Sequence, residues 1–191
     1  MSSTRILLLG APGAGKGTQA ALLIKRLGIA HISTGDMLRQ AVADKTEIGL
    51  KAKAVMDSGA LVNDDIVIAI AAERLGQEDA LKGFVLDGFP RTRAQAEALD
   101  TMLAELGRPL ERCVAITVDT EAVVQRLLKR AELEGRADDN EATIRERMQV
   151  YDNQTAPLLE FYENTGIISE VDGMGSMEEV SARVETALSS S

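Results

Sequence analysis

A chain of 191 residues, 45% apolar and 27% charged, has the size and balance of one globular domain with room for an inserted piece. Its formal net charge of −9 argues against a nucleic-acid surface, and three Phe, two Tyr and no Trp argue against a platform for stacking bases. The single Cys113 excludes an intramolecular disulfide and a zinc cluster built from several cysteines, and no apolar run approaches the roughly 20 residues of a membrane span.

In chain order, residues 5–10 (RILLLG) are a short apolar run ending in glycine and read as a first strand. The apolar core of this run is too short for a signal peptide, so a cytosolic location is expected. A helical pattern, KGTQAALLIKRL, follows, and then a second strand at 30–33 (AHIS). Residues 34–82 hold several helical pieces, among them EIGLKAKAVMDSG and NDDIVIAIAAERL, without a strand. That is too much chain for one crossover, and part of it is expected to form a small helical subdomain. Strands are predicted again at 83–89 (GFVLDGF), 112–119 (RCVAITVD) and 166–173 (GIISEVDG). The helical patterns TRAQAEALDTMLAEL, TEAVVQRLLKRAE and SMEEVSARVETALSS follow these strands in turn. The strands are continuously apolar rather than alternating, which predicts a parallel sheet covered on both faces, in an α/β fold.

Residues 10–18, GAPGAGKGT, lie where a strand hands over to a helix. Glycines there let successive N–H groups turn inward around a phosphate, and the helix start adds partial positive charge. Lys16 can reach the outer phosphates. The pattern departs by one residue from GxxxxGK[ST], because Gly17 follows Lys16 and the hydroxyl comes at Thr18. A nucleoside triphosphate brings a metal, and Asp87, closing an apolar strand, can hold Mg²⁺ through its waters. A capping carboxylate at a strand end is the other reading of Asp87.

The stretch 126–147, RLLKRAELEGRADDNEATIRER, carries six Lys or Arg and six Asp or Glu, and Gly135 and the residues after it break its helical pattern. Half of it reads as a solvated helix face. Arg130, Arg136 and Arg147 flank the break, while Arg39 and Arg91 follow the second and third strands. Five arginines at element ends around a phosphate loop suit phosphoryl transfer, which needs positioning and positive charge more than a nucleophile.

At this point the chain resembles the adenylate kinases, which interconvert ATP plus AMP with two ADP. The resemblance rests on GAPGAGKGT, ISTGDMLR, SGALV, FVLDGFPRT with Gln95 beyond it, GRADD with IRERM, and TAPLLEFY, and runs over nearly the whole chain. It implies a P-loop NTPase-type α/β core, a doubly wound five-stranded parallel sheet with helices on both faces. The core would comprise about 1–33, 63–129 and 141–191, with a nucleoside-monophosphate-binding (NMP-binding) segment at about 34–62 and a short lid at about 130–140. On the ATP side the resemblance places Gly13, Ala14, Gly15, Lys16, Gly17 and Thr18 around the phosphates, Arg126 over the base, Arg130 on the nucleotide and Gly175 near the base. On the AMP side it places Thr34, Arg39, Ala60, Leu61, Val62, Gly88, Phe89, Pro90, Arg91 and Gln95. Arg39 and Arg91 would grip the AMP phosphate, Arg136 and Arg147 would hold the transferring phosphates, and Asp138 and Asp139 would pair with charges on closure.

Only five residues separate Arg130 from Arg136, which implies a short-lid form without structural zinc. Thr34 and Gln95 suit adenine, since relatives acting on UMP or CMP often carry Ala and Asn at the positions of Thr34 and Thr92. Mg²⁺ is the expected cofactor and ATP, AMP and ADP the expected partners, with no nucleic acid, no membrane and a monomeric chain. A UMP/CMP kinase and a nucleotide-binding protein without catalysis remain as alternatives.

Overall fold

The computed structural model describes residues 4–135 and 140–189. Among these, five strands form one sheet: β1 (Arg5–Leu9), β2 (Ala30–Ser33), β3 (Phe84–Asp87), β4 (Arg112–Thr117) and β5 (Ile168–Asp172). The order is β2-β3-β1-β4-β5 and every pairing is parallel. The five predicted strands are all present, β2 with the predicted bounds and the other four trimmed where turn residues take over. Successive residues of β1 explain the continuous apolar pattern. Leu7 and Leu9 join one core cluster with Leu86, Cys113 and Ala115, while Ile6 and Leu8 join another with Val85, Val114 and Ile116. Ile6, Leu7 and Leu8 are at most 1% exposed, and each contributes about 1.5–3 kcal/mol by burial.

Helices cover both faces. On one, α1 (Lys16–Leu27) and α9 (Met177–Ser189) supply Ala20, Leu23, Val180, Val184 and Leu188. On the other, α4 (Asp64–Leu75), α5 (Arg93–Glu105) and α8 (Leu158–Glu163) supply Val67, Ala71, Leu75, Ala96, Leu99, Leu103, Leu158 and Tyr162. The strandless insertion consists of α2 (Thr34–Ala43), α3 (Glu47–Asp57), α4 and a 3-10 helix at Glu78–Lys82. Leu38 of α2, Ala52 of α3 and nearby Val62 share the same cluster as the sheet, so this segment packs on the main core.

The charge-dense stretch is two helices, α6 (Thr120–Glu134) and α7 (Glu141–Val150). The break between them has local causes. Gly135 closes α6 in a left-handed conformation, its N–H donating to Ala131 O, and the Asn140 side chain caps α7 by accepting from Thr143 N. Val123, Leu127 and Ile144 pack the two helices together beneath Ala11 of the glycine-rich loop. A π-helical turn, Tyr151–Thr155, continues from α7 and was not anticipated from the sequence.

Helices α2 and α3 approach closest at Gly49, where a Cβ would lie 2.0 Å from the carbonyl oxygen of Ala41. That neighbour is backbone and cannot turn aside. Gly49→Ala is therefore expected to destabilise the protein by about 1–3 kcal/mol, read as a lower urea midpoint at unchanged slope. A midpoint equal to that of the parent chain would show that the two helices separate freely.

Candidate functional site

Every strand of a parallel sheet points its carboxyl end the same way, so the segments that leave these ends meet along one edge. Here they are the glycine-rich loop after β1, Gly35 after β2, Asp87 and Gly88 at the end of β3, and Gly173 and Gly175 after β5. They border a cleft of about 710 Å³. Gly13, Ala14, Gly15, Lys16, Gly17, Thr18, Arg39, Leu61, Asp87, Gly88, Pro90, Arg91, Arg126, Arg130, Arg147 and Gly175 all line it. A smaller cavity of about 60 Å³ adjoins, lined by Thr34, Arg39, Ala60, Leu61, Val62, Gly88, Arg91, Gln95 and Arg147 among others. Phe89 lines neither, because its ring is fully buried in the core. Arg136, Asp138 and Asp139 lie outside the described residues.

The helix that follows the loop starts without a side-chain cap. Gly15 occupies the cap position of α1 and no acidic residue stands in the first turn. Helices α2 to α7 are instead capped by Ser33, Thr46, Asn63, Thr92, Asp119 and Asn140. The open N–H groups and positive end of α1 thus face the cleft, ready for an anion.

Lys16 stands at the centre of the charge. Its ammonium donates to Gly10 O at 2.8 Å and Ala11 O at 3.0 Å. Burial lowers its pKa to about 8, the charges of Arg91, Arg147 and Arg130 press the same way, and Asp87 opposes them. Three arginines from three different elements are therefore close enough to act on one lysine. Burial alone would raise the Asp87 carboxyl. Contact with His31 and the charges of Lys16, His31 and Arg91 outweigh that and hold it below its ordinary value. His31 Nε2 lies 3.5 Å from Asp87 Oδ2, an electrostatic contact rather than a short hydrogen bond. An ionised carboxylate beside a phosphate loop fits Mg²⁺, which takes one or two carboxylates and completes its shell with phosphates and water.

The DGFPR turn is built around Arg91. Its Nε donates to Gly88 O at 2.8 Å, and the Thr155 hydroxyl donates to Arg91 O at 2.8 Å. Gly88 has φ +76, and a Cβ there would lie 2.9 Å from Arg91 Nη2, so glycine satisfies both the backbone and the guanidinium. On the opposite wall Thr34 donates its hydroxyl to Gly88 O at 2.9 Å. Arg126 donates to Gly173 O at 2.9 Å, tying α6 to the loop after β5.

Several lining residues carried no sequence signal. His31, Lys129, Leu133, Tyr151 and Met177 reach the cleft through tertiary packing. Asp64 bonds Gln95 from 31 positions away, where no local pattern could show it.

Known proteins resemble this chain over nearly its whole length. The family model for adenylate kinase matches residues 8–167. Adenylate kinase from Stenotrophomonas maltophilia strain R551-3 is 52% identical over 184 residues, covering 96% of this chain and 98% of the relative. That from Thermobifida fusca strain YX is 52% identical over 186 residues, covering 97% and 98%. That from Xanthomonas euvesicatoria is also 52% identical, over 184 residues and the same 96% and 98%. With the fold, the phosphate loop and near-complete alignment in agreement, the chain belongs to the adenylate kinase family.

Proposed function

We propose that this chain transfers the terminal phosphoryl group of ATP reversibly to AMP, giving two ADP, with the residues of the cleft dividing the work. The observation that carries this reading is the meeting of an uncapped phosphate loop, Lys16, Asp87 and the arginines of separate elements at one sheet edge. ATP phosphates lie against Gly13, Ala14, Gly15, Gly17 and Thr18, with Lys16 on the outer phosphates and Arg126, Arg130 and Gly175 on the nucleotide. AMP occupies the side formed by Thr34, Arg39, Ala60, Leu61, Val62, Gly88, Phe89 through its backbone, Pro90 and Gln95. Arg39 and Arg91 hold its phosphate.

An oxygen of the AMP phosphate attacks the γ-phosphorus of ATP as the bond to the β,γ-bridging oxygen breaks. One ADP forms on each side of the cleft. Lys16, Arg91, Arg130, Arg136 and Arg147 stabilise the charge on the transferring oxygens without reorganising. Mg²⁺, held through water by Asp87, supplies further charge neutralisation when bound. The segment at about 34–62 and the short lid at about 130–140 close over the two nucleotides and exclude water. Lid closure of this kind gates adenylate kinases in general. The reading includes a monomer acting in the cytoplasm on free nucleotides.

Purified protein with ATP, AMP and Mg²⁺ is expected to form ADP. Arg91→Ala is expected to lower kcat by about a hundredfold or more, since a lost phosphate ligand leaves charge unmet in the transition state. No ADP from AMP, CMP or UMP would sink the reading, and preference for CMP or UMP would move it to a pyrimidine kinase.

Lys16 gives a pH signature. In the empty cleft it loses its proton near pH 8, whereas bound phosphate favours the ammonium and raises its pKa. A unit or more below pH 8 the lysine is almost fully protonated with or without ATP, so it takes up little or no proton. At about pH 9, ATP binding should take up close to one proton and weaken as pH rises further. Calorimetric titration in two buffers of different ionisation heat measures the uptake, and Lys16→Met should abolish it. Binding by the parent chain without uptake would show an ordinary lysine.

A further inference from the structure

Gln95 is 1% exposed and lines the smaller cavity, yet both ends of its amide are already engaged. Its Oε1 accepts from Arg91 N at 2.8 Å, and its Nε2 donates to Asp64 Oδ1 at 2.7 Å. Asp64 is the first residue of α4, and its other oxygen accepts from the Thr92 hydroxyl at 3.0 Å. These partners are not interchangeable. A carboxylate only accepts and a backbone N–H only donates, so the amide has one permitted orientation. A flipped amide would set oxygen against the Asp64 carboxylate and NH₂ against the Arg91 N–H. Among the described residues each amide end keeps one unused position: a second N–H and a second lone pair.

That remainder is directional. An adenine edge offers an exocyclic amine to the amide oxygen and a ring nitrogen to the amide N–H. A 6-oxopurine offers the reverse, a carbonyl oxygen and a ring N–H. It would bond Gln95 only with the amide flipped, which Asp64 and the Arg91 backbone oppose. We propose that Asp64, through Gln95, is a positioning residue that makes the acceptor site select 6-aminopurine over 6-oxopurine monophosphates. The proposal rests on the reading above that the acceptor base docks against Gln95. It places part of the base selectivity in a group that need not touch the base, working by opposing the alternative hydrogen-bond pattern.

The test compares AMP with IMP as acceptors, because the two differ only at this edge of the base. Values of kcat/KM for both are measured on each preparation of the parent chain, Asp64→Asn, Asp64→Ala and Gln95→Ala. The AMP-to-IMP ratio is independent of the fraction of protein that folds. Where IMP turns over too slowly to follow, its inhibition constant against AMP replaces its kcat/KM in the comparison. Asp64→Asn keeps the shape but lets a donor face a flipped amide, and Asp64→Ala removes the acceptor. Both are expected to lower the ratio by about tenfold, the worth of one hydrogen bond. A ratio unchanged in both Asp64 variants but collapsed in Gln95→Ala would overturn the proposal and leave the docking of AMP intact. A ratio unchanged in Gln95→Ala would remove the docking itself, and the proposal with it.

Discussion

The architecture turns on one electrostatic conflict. Lys16 is held where Arg91, Arg130 and Arg147 all disfavour its charge, and Asp87 alone among its named charged neighbours favours it. Like charges brought together in a cleft are costly unless an anion arrives. The scaffold sustains the conflict by rigid means. The phosphate loop is fixed between β1 and α1, Arg91 is clamped by Gly88 and Thr155, and α6 and α7 are joined through Val123, Leu127 and Ile144. With the chain as a whole at −9, the positive charge is concentrated rather than general, which favours a compact polyanion over an extended one.

The two flanks of the cleft rest on different hydrophobic bases. The segment that carries Thr34 and Arg39 rests on Leu38, Ala52 and Val62, within the sheet's own cluster. The helices carrying Arg130 and Arg147 rest on the separate cluster of Val123, Leu127 and Ile144. The two flanks touch where the Thr143 hydroxyl donates to Asp57 O at 3.3 Å, at the end of α3. The arginines of the two flanks are thus mounted on different packing units.

Much of this was legible because its causes are local. Strands buried on both faces read as unbroken apolar runs, and α1 begins and ends where its glycines demand. The phosphate loop declares itself through residue type and spacing. What stayed hidden depends on residues far apart in sequence. Nothing near Asp64 says that it holds Gln95, and nothing near Thr155 says that it anchors Arg91. The side chain of Phe89, placed by its motif beside the acceptor site, belongs to the core instead, since a large apolar ring is stabilised more by burial there than by lining a polar cavity. Arg126, expected over a base, has its guanidinium on the carbonyls of Ala14 and Gly173.

The central place of β1 has a consequence for how the molecule comes into being. Its Arg5 aligns with Phe84 and its Ile6 with Arg112, so the strand that leads into the phosphate loop has no partner nearby in sequence. On a ribosome it emerges before β3 and β4 and must wait until both have followed. Pairings of such long range are what slow the folding of parallel sheets. A strand made well before either of its partners thus gains them only later, and the glycine-rich loop takes shape together with the sheet's centre rather than before it.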